Sequence, residues 1–218
     1  MDDLLVIGLI ISVAVLYRYA REMHTTEMLS APPTVPQAPT VPQAPMVPQA
    51  PTVLPTNGYE PTYSGPVQQD AETLEYNNCF AYALDSIKLR KEKPQPNNRY
   101  PDNFTCDQLV QDLQQDLVSQ SVPHKIYPLY RSTKHERCPD KYYKIFLALS
   151  ESPENDYHFY RQDSDGYWSH KPGATPVSRT DASGRLITDP ELADRNYKDN
   201  DYRHSCGFLC VPRIPKKF

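Results

Sequence analysis

An α+β domain, with helices leading and an antiparallel sheet following, is the fold class that the sequence predicts for residues 71–218, and three observations predict it. Amphipathic helical spacing occurs in two stretches before Pro123. After Pro123 come short aromatic and apolar runs separated by turn residues, an order that favours hairpins over a parallel sheet. The third observation is size. Of 218 residues, 23 are proline and only 7 glycine, and eleven of the prolines lie between Pro32 and Pro66, where Glu60 is the sole charged residue. That stretch cannot build a core, which leaves about 150 residues for one domain.

Leu4 to Ala20 is apolar apart from Ser12 and its Tyr17-Arg18-Tyr19 end, and as a helix it would reach about 26 Å. The expectation is an uncleaved transmembrane anchor over residues 1–21. A cleaved signal would need a basic start, whereas Asp2 and Asp3 lead here and Arg18 and Arg21 follow. Basic residues after the span keep that side cytosolic, so the expected location is a single-pass membrane protein with its domain on the cytosolic or an equivalent face. Residues 22–70 read as a linker. Within it Val35–Thr40, Val41–Met46 and Val47–Thr52 repeat the pattern VPQAP(T/M). Proline at every third position suits polyproline II, a stiff spacer of up to about 110 Å. Docking to a proline-binding domain is the lesser reading, because Pro-x-x-Pro follows automatically from the repeat.

The first helix is expected over Asn77–Ile87, with asparagine as cap and Phe80, Ala83, Leu84 and Ile87 on one face. The second runs from Thr105 to about Gln120; Thr105 and Gln108 suit a capping box, and Leu109, Leu113 and Leu117 form a stripe. Strands are expected at Tyr142–Leu149, Asp156–Gln162, Tyr167–His170 and Gly207–Val211. Turns at Asp163–Gly166, Lys171–Gly173 and Asp181–Gly184 separate them.

A net charge of −4 excludes a protein that works mainly by gripping nucleic acid through phosphates. Five cysteines, Cys79, Cys106, Cys138, Cys206 and Cys210, are an odd number and read mostly as free thiols. The sequon Asn103-Phe104-Thr105 is the opposing sign of a secretory lumen. His204, Cys206 and Cys210, with His135 and Cys138, offer zinc-type ligands but lack a Cys-x-x-Cys pair, so no metal and no cofactor is expected.

Cys79 falls at the start of the first helix, where unpaired N–H groups stabilise a thiolate and can serve an oxyanion. A small buried hydrophobe is the plain alternative. The histidines shift the balance. If Ser164, Asp165 and Gly166 form a three-residue loop, Tyr160 pairs with His170, and His158 lies diagonal to His170 on one face. A two-residue loop would set the two on opposite faces. In the first register His158 can be the base for Cys79, with His170 fixing its tautomer. Asp181 is a lesser candidate for that orienting role, and Trp168 reads as packing beside the site.

A helix-borne cysteine, a strand histidine and a second histidine twelve residues on resemble the NlpC-type papain-like cysteine hydrolases. The wider match, Asn78-Cys79-Phe80-Ala81-Tyr82-Ala83-Leu84 with Asp156–Arg161 and Gly166–Gly173, resembles uncharacterised proteins of bacteria and large DNA viruses. The resemblance implies a papain-like fold of helices packed on an antiparallel sheet. It also implies Cys79 as nucleophile, His158 as base and His170 as orienting group, with Tyr76 and Asn78 near the oxyanion and substrate. Asn-Cys-Phe-Ala replaces the Asp-Cys-Ser-Gly of the wall peptidases, so substrate does not carry over. The expected function is a membrane-anchored peptidase or amidase acting on a peptide or amide. The alternative is a non-catalytic membrane-anchored structural or interaction protein, such as a viral membrane protein in a virion or host membrane.

Overall fold

The computed structural model describes residues 52–65, 70–86, 92–98, 104–119, 127–150, 156–198 and 200–213. The expected anchor, nearly all of the VPQAP repeats and Asn103 lie outside the described residues. Helices come first and an antiparallel sheet follows, an α+β order. Helix α1 (Ala71–Tyr76) starts at Asp70, whose carboxylate accepts from Thr73 N at 2.8 Å. Helix α2 (Cys79–Ala83) is capped by an asparagine, Asn78, as expected, but it is much shorter than Asn77–Ile87. It stops because Asp85 adopts φ +52°, while Asp85 N and Ser86 N donate to Tyr82 O and Ala81 O. That pair of bonds is a Schellman stop built on aspartate where glycine is usual. Helix α3 (Cys106–Ser119) buries Leu109, Leu113 and Leu117 completely. Thr105 Oγ1 accepts from Gln108 N at 3.2 Å, but the Gln108 amide reaches forward to Asp112, so only half of the capping box forms.

The strands are β1 (Tyr130–Ser132), β2 (Tyr142–Leu149), β3 (Tyr157–Gln162), β4 (Trp168–Ser169), β5 (Asn196–Tyr197), β6 (Asn200–Asp201) and β7 (His204–Pro212). Five make one sheet in the order β1-β7-β2-β3-β4, each neighbour antiparallel; β5 and β6 form a separate pair. Strand β2 is buried on both faces, and its alternation sorts two cores. Tyr143, Ile145, Leu147 and Leu149 meet the helices with Phe80, Leu109 and Phe159. Phe146 and Ala148 meet Tyr160, Trp168, Phe208 and Ile187 on the other face.

The boundary between linker and domain moves. Thr52–Gly65, expected within the spacer, packs on the domain: Leu54 joins the second core and its carbonyl accepts from Gln162 Nε2 at 2.8 Å. Asn57 Nδ2 donates to the carbonyls of Cys138, Pro139 and Tyr142, and the Tyr63 ring lies 3.7 Å from the Arg179 guanidinium. A proline-rich stretch whose one charged residue is Glu60 can therefore lie on a sheet as a strap once polar groups of the domain take up its backbone.

The reading of mostly free thiols is also corrected. Cys106 bonds Cys206 and Cys138 bonds Cys210, leaving Cys79 alone as a thiol. The reason lies in a bulge. Leu147 pairs with Gly207 but Ala148 with Ser205, so Cys206 is an extra residue beside Gly207 at φ +97°. The bulge reverses the side-chain alternation. Cys206 turns to the helix-side core and Cys210 to the cluster of Cys138 and Tyr142. Bridges spanning 100 and 72 residues remove chain entropy worth about 4–5 kcal/mol each.

Candidate functional site

Strand β4 pairs only with Arg161 and Gln162, so the first half of β3 has an open edge. Ser150 N donates to Asp156 O at 2.8 Å, which fixes the ladder phase: the peptide groups of Tyr157 and Phe159 face outward. Cys79 fills that edge. Its thiol donates to Tyr157 O at 3.9 Å, and the Phe159 N–H interacts with the sulfur. Burial pushes the Cys79 thiol up to about 12, with the Phe159 N–H opposing the rise.

Two buried cations hold α2 at this edge. Lys171 Nζ donates to Leu74 O at 2.9 Å and Asn77 O at 2.6 Å, on the turn that leads into Cys79, and to Gly173 O at 2.6 Å in its own turn, using all three of its protons. Burial pulls the Lys171 ammonium down to about 8, and the Cys79 sulfur opposes that fall. At the far end of α2, Arg161 donates to Tyr82 O and Tyr82 Oη and lies 4.0 Å from the Tyr82 ring.

The turn between β3 and β4 has the three-residue geometry. Gly166, at φ +87°, donates to Asp163 O, and Asp163 N donates to Tyr167 O. Arg161 pairs with Ser169 and Gln162 with Trp168, the register that brings the two histidines to one face. His158 Nε2 lies 2.7 Å from His170 Nδ1, and His170 Nε2 lies 3.0 Å from Thr180 O. A carbonyl only accepts, so His170 carries its proton on Nε2 and offers Nδ1 as acceptor. His158 is then protonated on Nε2, and its Nδ1 keeps a free lone pair. Tyr160 stacks on His170, and Tyr202 packs against His158. Burial, then the neighbouring His170, hold His158 well below its ordinary value. Burial takes His170 down to about 4, against the pull of the Thr180 carbonyl and Asp181.

Cys79 and His158 line one cavity of about 230 Å³ at the open end of β3, together with Asn78, Gln95, Asp156 and Tyr202. They reach it from different sides: Cys79 packs in the helix-facing core, and His158 extends from β3 on the Tyr160 face. The expected hydrogen bond between thiol and imidazole is not formed, because the thiol is engaged by the β3 backbone. Tyr76 ends α1 and is not among the residues lining the cavity. Asn78 lines it, with its Oδ1 capping Ala81 N and its Nδ2 giving one of its two protons to Pro94 O. Asp181 spends its carboxylate on Ser183 N and Arg185 N, and Thr180 O takes the orienting position instead.

Sequence reasoning missed Lys171, Gln95, Asp156 and Tyr202. Lys171 directly follows His170 in a turn motif, the one available signal; Gln95 sits in a proline-rich loop and takes a bond from Tyr157 Oη. Tyr202 Oη donates to Asp156 Oδ2 at 2.6 Å, a pairing across 46 residues that no local pattern shows. Of the zinc-type candidates, His204 and Cys206 do approach Cys106, but both of those sulfurs are in a disulfide, as are Cys138 and Cys210.

Comparison with known proteins finds 52% identity over 64 residues to Insoluble matrix shell protein 1 of Ruditapes philippinarum. The match covers 29% of this chain and 43% of that protein, so the chain spans less than half the length of this relative. No family model and no solved structure matches the chain. The expected location, a single-pass membrane protein with its domain on the cytosolic or an equivalent face, is corrected by this relative, whose name is that of an insoluble matrix protein of a shell. The two disulfides agree with the correction, because such bonds persist in oxidising surroundings. Among the described residues no helix is long and apolar enough to cross a membrane.

Proposed function

We propose that this chain is an extracellular matrix protein whose papain-like domain hydrolyses or transfers acyl groups from amides through Cys79, His158 and His170. The observation that carries the reading is the histidine relay. His158 has its Nε2 proton tied to His170 and its Nδ1 lone pair free, the state a general base needs, and it lines the same cavity as the single free thiol. In the reaction the Cys79 sulfur attacks the amide carbon as its proton passes to His158 Nδ1. His158 returns that proton to the departing amine, and a thioester remains. Water or a second amine then resolves the thioester, with His158 taking and returning a proton again. His170 keeps the imidazole aimed throughout.

The test is labelling of the disulfide-intact protein with a panel of peptide, amide and thioester electrophiles. Because Cys79 is the one free cysteine, the labelled site is unambiguous. The expected result is an adduct on Cys79 that forms at least tenfold more slowly in His158→Ala. A second reading, a non-catalytic matrix component, is favoured by the name of the relative and by the tether of Cys79 to the β3 edge. It predicts that Cys79 stays unlabelled by every electrophile until the protein is denatured, and that outcome would sink the hydrolase reading.

A further inference from the structure

The VPQAP repeats have no part in the chemistry above, yet they present one functional group at regular intervals. Gln37, Gln43 and Gln49 recur every six residues, each between Pro and Ala-Pro. Within a repeat the peptide bonds before proline are tertiary amides, and nothing is charged. The glutamine side chain is the one primary carboxamide present, and so the least hindered amide for a thiol to attack.

We propose that these glutamines are the acyl donors for the Cys79 site, which transfers their side-chain acyl group to a primary amine such as a lysine of another copy of this chain. The inference rests on the hydrolase reading of Cys79, His158 and His170. The cavity fits such a substrate. At about 230 Å³ it falls below the roughly 300–1,000 Å³ of ordinary small-molecule pockets, enough for one extended polar side chain and too small for a folded segment. Its walls carry polar groups that suit a carboxamide: the Gln95 Nε2 amide, the Lys93 ammonium, and the Asp156 carboxylate, which already accepts from Tyr157 N and Tyr202 Oη but has further lone pairs for a carboxamide N–H. Proline on both sides of the glutamine restricts the backbone before binding, which lowers the ordering cost of threading the side chain into a narrow site. Three donors on one chain also raise the local concentration of substrate around any acceptor.

The chemistry balances without an oxidant or reductant. The Cys79 sulfur bonds to the glutamine Cδ, the Cδ–Nε2 bond breaks, and the thiol proton, carried by His158, leaves with that nitrogen as ammonia. The lysine amine then attacks the thioester carbon and gives its proton through His158 to the departing sulfur. The product is an isopeptide, formed with one ammonia per bond. If water replaces the amine, the glutamine becomes glutamate.

The full chain, with both disulfides intact, is incubated with a dansylated alkylamine, and peptide mapping and ammonia release are followed. The expected result is amine incorporation at Gln37, Gln43 and Gln49 with equimolar ammonia. Incorporation is lost in Cys79→Ser and falls at least tenfold in the triple variant Gln37→Asn, Gln43→Asn, Gln49→Asn. A synthetic peptide of three repeats, added in trans to that triple variant, restores ammonia release. If Cys79 reacts with the electrophile panel but these glutamines gain neither amine nor deamidation, or other glutamines react equally fast, this inference is overturned and the hydrolase reading stands. If Cys79 reacts with nothing while native, both fall.

Discussion

The buried histidine pair makes acid sensitivity a quantitative test of the site. In the folded chain His170 lies near 4, pulled down by burial, and His158 is held well below its ordinary value. In the unfolded chain both take protons near the ordinary histidine value of about 6.5. The unfolded state therefore binds more protons between these limits, so the contribution to stability is present above about pH 6.5 and is lost as pH falls toward about 4. For His170 alone the loss reaches about 2 kcal/mol at about pH 5 and about 3 kcal/mol below its folded value. Against a typical total of about 5–15 kcal/mol this is large. His170→Asn removes the titrating ring but can still accept from His158 Nε2. Urea unfolding of both proteins at about pH 7.5 and about pH 5 is the assay; with slopes of about 1–3 kcal/mol per molar, the wild-type midpoint should fall about 1 M further than that of the variant. Equal losses in the two proteins would refute the reasoning, because they would mean that His170 is not held neutral by burial.

Two further perturbations probe the scaffold. Lys171→Met leaves the carbonyls of Leu74, Asn77 and Gly173 without their shared donor and should cost about 3–5 kcal/mol in urea unfolding; an unchanged midpoint would show that the ammonium does not hold the α1–α2 turn. A Cβ at Gly166 would meet Val53 Cγ2 at 2.6 Å with φ at +87°, so Gly166→Ala should destabilise by about 1–3 kcal/mol. Combined with Val53→Ala the penalty should shrink by about 1 kcal/mol. Strict additivity would mean that the strap does not lie against this turn.

Local patterns in the sequence carried the parts of the fold that local chemistry decides. The leucine stripe of α3, the β2 span and the β3–β4 register follow from spacing and from one glycine-closed turn, and that register alone brings His158 to His170. What escaped the sequence was decided at a distance or against preference. Asp85 ends α2 in a conformation that usually selects glycine, and its carboxylate pairs with Arg161 and Arg213, far along the chain. The Cys206 bulge reverses the alternation of β7, so cysteines four apart, which an unbroken strand would put on one face, serve opposite ones. The strap carries no periodic signal at all: its hold on the domain comes from single amide and carbonyl groups of Leu54, Asn57 and Pro61.

The same geometry constrains how Cys79 could react. Burial pushes the Cys79 thiol up and holds His158 down, so both shifts disfavour a preformed thiolate–imidazolium pair relative to the neutral pair. The lower route moves the proton as the S–C bond forms, with neutral imidazole as general base. In that route the thiol need not leave the β3 edge as an ion. It must break its bond to Tyr157 O and turn toward His158 Nδ1, and the cavity is where both atoms can meet a carbonyl. Lys171 then has a second consequence: by fixing Asn77 it fixes where α2 begins, and so the range over which the sulfur can turn. The rate would follow the neutral fraction of His158 and hold well below pH 6.5, the opposite of a site that depends on a free thiolate.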